Sequence, residues 1–338
     1  MTASLTPAAA APVPAASARP VVIAHRGASG ERPEHTLAAY ERAIEQGADF
    51  IEPDLVMTKD GVLVARHENE ISGTTDVAER PEFAARRTTR LIDGVEMSGW
   101  FTEDFSLAEL KTLKARERLP RLRPGNTAFA DERIPTFAEV VALARKHGVG
   151  VYPETKHPSY FRGIGLPLEA AMLKVLADHG WTRAADPVFI QSFEVENLKM
   201  LKGMTALRLV QLVAGAGGPP DRPGTAYADM LTPAGLKEIA GYAAGIGPEK
   251  TLVVPRDAAG RSLPPTRLVA DAHAAGLVVH PWTFRAENMF LPAELRSGAA
   301  GEAHGRLAEE LAQFLAAGVD GLFSDYPAAA VTAVRQPR

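Results

Sequence analysis

The sequence contains no cysteine among its 338 residues. Disulfides, thiolate nucleophiles and cysteine-ligated zinc or iron–sulfur centres are therefore excluded. There is no basic excess either, because the formal net charge is -4, so nothing indicates a nucleic acid partner. No apolar run approaches the roughly 20 residues that a membrane span requires, and we predict no stable insertion into a membrane. The content of 46% hydrophobic and 23% charged residues is typical of a globular protein.

The first 20 residues differ from the rest of the chain. They are nearly all Ala, Pro, Ser and Thr, and no charged residue precedes Arg19. Such a composition buries too little apolar surface to become ordered, so we predict a disordered leader at residues 1–20. Ala16-Ser17-Ala18 has the small-x-small form of a signal-peptidase site, although the stretch has no basic region before it. A flexible tail and a signal-peptide remnant both stay open as interpretations.

Short apolar runs alternate with amphipathic stretches along residues 21–338, which we interpret as one domain. The predicted strands are 21–24, 50–56, 150–154, 188–192, 207–213, 251–255, 277–282 and 321–324. Helix signals separate them, including capping boxes that begin at Ser106 and Thr136. Eight alternations of strand and helix predict an α/β fold, the (β/α)₈ TIM barrel. An open, doubly wound sheet is the alternative, because a sequence does not show whether a sheet closes.

A loop-rich stretch at about residues 71–133 interrupts this pattern, and we call it the insertion. It follows a turn at 58–61 and one extra β-rich run at 62–66. Basic clusters lie at 86–90 and 114–123. Because the insertion comes after a strand end, we predict that it lies on the catalytic face of the barrel as a lid or substrate wall.

Residues able to transfer protons and bind anions stand at the carboxyl ends of the predicted strands, where parallel α/β folds keep their active sites. His25 and Arg26 end the first strand, and His67 ends the extra strand. Cleavage of a phosphate ester needs a base and an acid, and histidine serves as either near neutral pH. Arg26 and Lys156 are candidate phosphate ligands, arginine through its bidentate fork and lysine as a point charge.

Three carboxylates, Glu52, Asp54 and Glu154, stand at two strand ends. The spacing of Glu52 and Asp54 places both on one face of a strand. Carboxylates in one mouth repel each other unless a cation lies between them, and a set of oxygen donors favours magnesium, calcium or manganese over zinc. We predict one divalent metal ion, Ca²⁺ or Mg²⁺. The alternative is that these carboxylates form salt bridges with Arg26 or Lys156.

Later strand ends bring further groups to the mouth. Gln191 is a candidate substrate ligand, and Trp282 is interpreted equally well as a core residue or as an aromatic wall for the substrate. The remaining histidines are interpreted as structural: His35, His147, His157, His179, His273, His280 and His304.

The order of these motifs resembles the glycerophosphodiester phosphodiesterase family over nearly the whole chain after residue 20. Segments 33–36, 52–56 and 99–105 are similar to its secreted or periplasmic, often calcium-using branch. The segments that carry the resemblance are 25–27, 33–36, 47–55, 58–61, His67, 74–75, 135–137, 154–156, 191–193 and 321–327.

The resemblance implies a TIM barrel that splits a small glycerophosphodiester, such as glycerophosphocholine, into glycerol 3-phosphate and the free alcohol. It implies a periplasmic or secreted location, with the cytoplasm left open. It also implies the role of each site residue: proton exchange by His25 and His67, phosphate contacts from Arg26 and Lys156, and metal binding by Glu52, Asp54 and Glu154. Two departures from the family pattern are Glu68 in place of the usual aspartate and Gly73 in place of a common arginine; the second leaves the headgroup preference open.

Three other functions share part of the pattern. A lysophospholipase D or sphingomyelinase-like enzyme for single-chain lipids would have an apolar groove beside the mouth. A magnesium-dependent aldolase on the same barrel would not need paired histidines. A non-catalytic phosphodiester-binding protein is disfavoured because the set of acid, base and ligand residues is intact. The oligomeric state is not predicted.

Overall fold

The elements are those of a computed structural model that describes residues 19–336, so the predicted leader lies outside the described residues except for Arg19 and Pro20. The strands are β1 Val21–His25, β2 Phe50–Glu52, β3 Asp54–Met57, β4 Leu63–Ala65, β5 Thr88–Ile92, β6 Val95–Gly99, β7 Gly150–Val151, β8 Glu154–Thr155, β9 Phe189–Ser192, β10 Arg208–Val213, β11 Gly245–Pro248, β12 Val278–Val279 and β13 Gly321–Ser324. The α-helices are α1 Leu37–Glu45, α2 Leu107–Leu110, α3 Phe137–His147, α4 Pro158–Gly163, α5 Glu169–Asp178, α6 Val195–Met204, α7 Tyr227–Met230, α8 Pro233–Ala240, α9 Lys250–Val253, α10 Leu268–Ala274, α11 Leu307–Ala316 and α12 Pro327–Arg335.

Eight strand units run parallel around one axis, in the order β1, β2–β3, β7–β8, β9, β10, β11, β12 and β13. Two of these units, β2–β3 and β7–β8, are interrupted at Pro53 and Pro153. A proline nitrogen carries no hydrogen and so cannot donate a hydrogen bond to the neighbouring strand. β4 lies outside this order and pairs antiparallel with β3, with Leu55 opposite Ala65. The predicted extra strand at 62–66 is therefore confirmed.

The strands close into a barrel. β13 pairs in parallel with β1, so the last strand of the chain lies beside the first. On its other side, Asp320 N donates to Val279 O at 2.9 Å and Phe323 N donates to Pro281 O at 3.1 Å, which joins β13 to β12. This closure confirms the TIM barrel and excludes the open sheet.

The barrel interior is built in layers. Its apolar layer contains one side chain from each of six strand units: Ile23, Phe50, Tyr152, Phe189, Val210 and Phe323. Because side chains alternate between the two faces of a strand, the residue two positions further along also points inward. In five of the six units that residue is polar: His25, Glu52, Glu154, Gln191 and Asp325. A polar layer therefore lies directly above the apolar layer, at the carboxyl ends of the strands.

The predicted strand at 251–255 is wrong, because Lys250–Val253 is a short helix and the sixth barrel strand is Gly245–Pro248. Its sequence, Gly-Ile-Gly-Pro, has the composition of a turn. Packing is close at both glycines: a Cβ at the first would lie 2.5 Å from Val278 Cγ2 and 2.8 Å from Val278 O, and one at the second would lie 2.6 Å from Leu212 Cδ2. The other seven predicted strands are confirmed, with differences at their ends.

The helix signals in the sequence are confirmed. Ser106 and Thr136 each form a capping box with the glutamate three residues later. Gly148 ends α3 in the left-handed conformation, with a φ of 69°, and β7 begins two residues later. Within residues 19–336, no helix has the length and apolar character needed to cross a membrane.

The insertion contains the hairpin β5–β6, α2 and several short 3-10 helices. The sequence does not reveal the hairpin, because most of its side chains are exposed and no apolar alternation marks its strands. At the tip of the hairpin, Asp93 Oδ2 lies 2.6 Å from His157 Nδ1. His157 follows Lys156 directly in the sequence. The hairpin thus reaches the carboxyl ends of the barrel strands.

Candidate active site

A cavity of about 540 Å³ opens at the carboxyl ends of the barrel strands, and we call it the catalytic cavity. Asp54 is the one predicted site residue absent from its lining, and its side chain is buried with 1% exposure. The other eight predicted site residues line the cavity: His25, Arg26, Glu52, His67, Glu154, Lys156, Gln191 and Trp282. The fold thus brings together residues that lie up to 257 positions apart in the sequence, from His25 to Trp282.

Glu52, Asp54 and Glu154 form a buried carboxylate cluster. Each offers one oxygen, and the three oxygens lie within 4.8 Å of one another. Burial and the neighbouring carboxylates raise the pKa of Glu52 well above its usual range, and burial raises the pKa of Glu154 to about 8. Burial acts in the same direction on Asp54, but Lys156 and the hydrogen bond from His35 hold the pKa of Asp54 well below its usual range. Ionisation of all three carboxyls would therefore place more negative charge in the cluster than its surroundings readily neutralise.

The residues of the cluster fit a divalent cation. Lys156 Nζ donates to Glu154 Oε1 at 2.8 Å and lies 3.5 Å from Asp54 Oδ1, while Arg26 Nε lies 3.3 Å from Asp54 Oδ2. The salt bridges considered as the alternative to a metal site are thus present. Yet among residues 19–336 no hydrogen bond reaches the buried Asp54 Oδ1 or the nearby Gln191 Oε1. Buried oxygen acceptors without donors are what a hard cation requires.

His25 is held in one orientation by a residue that the sequence analysis did not select. Its Nδ1 lies 2.7 Å from Asp325 Oδ1, and both side chains are buried. Burial, together with the charge of Arg26, lowers the pKa of His25 to about 4, so the ring is neutral near pH 7. The signal for Asp325 was present, because it follows the interior Phe323 by two residues.

His67 has a matching partner in the next residue. Its Nδ1 lies 2.7 Å from Glu68 Oε1. Loss of solvent contact, together with the charges of Arg26 and Lys156, lowers the pKa of His67. Glu68 stands where the resembling family usually has aspartate, and the longer side chain still reaches the ring.

The two candidate phosphate ligands are held by acidic residues. The backbone N–H of Arg26 donates to Glu52 Oε2 at 2.7 Å, and the side-chain Nη1 of Arg26 donates to Glu34 Oε2 at 3.1 Å. Lys156 Nζ is held by Glu154. Both cations line the catalytic cavity, so an anion in the cavity meets positive charge beside the carboxylate cluster.

Trp282 and Gln191 take different positions. Trp282 is half-buried, donates from Nε1 to Gly247 O at 2.8 Å and packs edge-on against Phe193, so it forms part of the cavity wall. Gln191 Nε2 donates to Glu52 Oε1 at 3.1 Å, which ties it to the carboxylate cluster. Its contact with a substrate stays a prediction.

The sequence is similar to a family of known proteins. The model of the glycerophosphoryl diester phosphodiesterase family matches residues 25–329. Glycerophosphodiester phosphodiesterase GDPD6 of Arabidopsis thaliana is 39% identical over 328 residues, which cover 93% of this chain and 85% of the relative. A glycerophosphodiester phosphodiesterase of Haemophilus influenzae is 31% identical over 296 residues, which cover 78% of this chain and 79% of the relative.

Solved structures share the fold. An Oleispira antarctica phosphodiesterase, determined in complex with the product sn-glycerol-3-phosphate, superimposes with a TM-score of 0.63. The two sequences are 24% identical, and the match covers 94% of this chain and 98% of the other. At this identity the likeness establishes the barrel architecture.

Proposed function

The chain belongs to the glycerophosphoryl diester phosphodiesterase family and is a phosphoric diester hydrolase, and we propose how its cavity works. The substrate is a small glycerophosphodiester such as glycerophosphocholine, and the products are glycerol 3-phosphate and the free alcohol. The single observation that carries this proposal is the convergence of a buried carboxylate cluster, two cations and two neutral histidines in one cavity.

We assign one divalent metal ion, Ca²⁺ or Mg²⁺, to Glu52, Asp54 and Glu154. Hard oxygen donors suit either ion. When bound, the ion supplies positive charge that stabilises negative charge developing on substrate oxygens. The support is the unfilled acceptor Asp54 Oδ1 beside two carboxylates whose pKa values are raised.

Arg26 and Lys156 orient the phosphate, Arg26 by its planar fork and Lys156 by a single charge. His25 and His67 each use Nδ1 to contact a carboxylate, which leaves Nε2 to exchange protons with the substrate. The histidine that acts as the base starts neutral and accepts a proton. The histidine that acts as the acid must first be protonated, and an anionic phosphate beside its ring favours the protonated form.

We propose two steps. In the first, one histidine removes the proton of the glycerol 2-hydroxyl, and the hydroxyl oxygen attacks phosphorus. A cyclic phosphate forms as the bond between phosphorus and the oxygen of the headgroup alcohol breaks. The second histidine gives its proton to the departing alcohol oxygen. In the second step water opens the cyclic phosphate and the histidines exchange roles. An oriented internal hydroxyl reacts at a much higher effective concentration than water does.

The test is incubation with a panel of glycerophosphodiesters and lysolipids, with and without a chelator, followed by identification of the phosphorylated product. We expect glycerol 3-phosphate, no turnover with chelator, and recovery with Ca²⁺ or Mg²⁺. Full activity in a metal-free sample would contradict the metal assignment. The lining of the cavity also includes the apolar residues Phe193, Leu212 and Phe290, which could contact a lipid chain. Release of a lipid phosphate from lysolipids would favour a single-chain lipid as substrate.

We also propose that the protein acts in the periplasm or outside the cell. The support is the resemblance of segments 33–36, 52–56 and 99–105 to the secreted branch of the family. Fractionation of the source cells, followed by an activity assay of each fraction, tests this location.

A further inference from the structure

Two arginines of the insertion, Arg118 and Arg123, hold the carboxylates that contact the two histidines. They lie five residues apart on a loop that runs over the barrel mouth. One contacts Glu68 and the other contacts Asp325. The insertion therefore reaches both halves of the acid–base pair from a single short segment.

Arg118 binds the carboxylate beside His67 with two hydrogen bonds. Its Nη1 donates to Glu68 Oε1 at 2.8 Å and its Nη2 donates to Glu68 Oε2 at 2.6 Å. The same guanidinium donates from Nε and Nη2 to Glu34 at 2.9 and 2.7 Å, and Glu34 holds Arg26. Two planar donors on one carboxylate fix the plane of that carboxylate as well as its position. Glu68 is thereby prevented from turning away from the ring.

Arg123 contacts the carboxylate beside His25 with one hydrogen bond, and Arg285 Nε donates to the same carboxylate oxygen, Asp325 Oδ2, at 2.9 Å. Arg123 Nη2 donates to Asp325 Oδ2 at 2.6 Å, while Asp325 Oδ1 contacts His25. Its Nε donates to Glu287 Oε1 at 2.6 Å and its Nη1 donates to Ser29 O at 3.0 Å. Arg123 is 7% exposed, so these bonds are shielded from water. Each arginine is thus anchored to the barrel as well as to the orienting carboxylate.

Building on the proposed function, we propose that Arg118 and Arg123 are positioning residues that orient His67 through Glu68 and His25 through Asp325. A neutral imidazole that donates from Nδ1 to a fixed carboxylate keeps one tautomer and one ring plane. If the carboxylate can rotate, both the tautomer and the plane of the imidazole ring can vary. The insertion then completes the geometry of both proton-transfer groups.

The experiment compares Arg118→Gln and Arg123→Gln with Arg121→Gln. Arg121 is exposed on the same loop and makes no hydrogen bond or ion pair with any residue between 19 and 336. With saturating metal and glycerophosphocholine, we expect kcat to fall roughly 10- to 100-fold in the first two variants, the range for loss of an outer partner that orients a functional side chain. KM should change less, and Arg121→Gln should match the wild type.

A second measurement does not depend on turnover. Protein labelled with ¹⁵N-histidine reports the tautomer of each ring by NMR, with the signals assigned from His25→Gln and His67→Gln. Arg118→Gln should change the His67 signals and spare those of His25, and Arg123→Gln should do the reverse. If Arg123→Gln does not fold, Arg123→Lys keeps the charge, loses the fork and should give the same pattern.

Wild-type kcat together with unchanged ring signals in the Arg118 and Arg123 variants would overturn the proposal. So would ring signals that change for both histidines alike in every variant, since that indicates general loosening of the barrel mouth. If the ring signals change as expected while even the wild type cleaves no glycerophosphodiester, the proposed function fails and the positioning role stands.

Discussion

His35 Nε2 lies 2.9 Å from Asp54 Oδ2, and both side chains are buried. The other ring nitrogen, Nδ1, lies 2.8 Å from Tyr40 Oη. Burial lowers the pKa of His35 to about 4, so near pH 7 the neutral ring donates from Nε2 to Asp54 and accepts at Nδ1 from the tyrosine hydroxyl. A histidine interpreted from sequence as merely structural therefore orients a carboxylate of the cluster.

Replacing His35 should weaken metal binding. We expect His35→Gln to lower the affinity for Ca²⁺ or Mg²⁺ roughly 10- to 100-fold, as loss of an outer-shell partner does at other metal sites. Calorimetric titration measures the affinity directly. Tyr40→Phe, which removes only the partner of the ring, should have a smaller effect, and the exposed His147→Gln should have none. Equal affinities in all these variants and the wild type would show that His35 does not orient Asp54.

Arg26→Lys should impair catalysis although it keeps the charge. Lysine cannot reproduce the fork that donates to Glu34 and lies 3.3 Å from Asp54 while facing the cavity. Loss of one charge-assisted hydrogen bond corresponds to about a 10- to 100-fold decrease in kcat/KM. Arg32→Lys, on the same loop but outside the catalytic cavity, is the control. Wild-type kinetics for Arg26→Lys would instead make Arg26 a structural ion-pair member.

Removing the substrate hydroxyl tests internal attack. A glycerophosphocholine analogue without the 2-hydroxyl should inhibit with a constant close to the KM of the parent, because the phosphate contacts remain. Its cleavage should be about 100-fold slower or more, since no oriented nucleophile is present. Product release followed by phosphorus NMR measures the rate. Cleavage at the parent rate would indicate direct attack by water.

The buried His280 should make stability depend on pH. Burial lowers the pKa of His280 to about 4, whereas a histidine in the unfolded chain titrates near 6.5. Between these values the unfolded chain binds a proton that the folded protein does not. The free energy of unfolding therefore falls as the pH is lowered from 6.5 to 4, by about 1.4 kcal/mol per pH unit from this group.

Urea unfolding at pH 4.5, 5.5 and 6.5 measures this dependence, and His280→Gln should lose less stability on acidification than the wild type. The matched control is Tyr152→Phe, which removes the hydrogen bond to the ring but keeps the ring itself. It should be less stable than the wild type and retain the same pH dependence. Identical slopes in His280→Gln and the wild type would contradict the expected low pKa.

Seven of the eight barrel strands, and the polar residues near their carboxyl ends, can be predicted from sequence alone. Alternation in a strand puts His25 above Ile23 and Glu52 above Phe50, and this local geometry depends only on neighbouring residues. The same regularity explains why the (β/α)₈ pattern was visible before closure of the barrel was known. Gly245–Pro248 is the exception, because its composition is that of a turn while its small residues pack closely against neighbours on other strands.

The partners that orient the site residues follow from the folded chain and not from local sequence. Asp325 meets His25 across 300 residues of chain, and Arg123 meets Asp325 across 202. No periodicity in the sequence encodes such contacts, because they depend on how the barrel closes and how the insertion folds over its mouth. The chemistry of single side chains follows from residue type, whereas their orientation and shifted pKa values follow from burial and neighbouring charges that exist only in the folded chain.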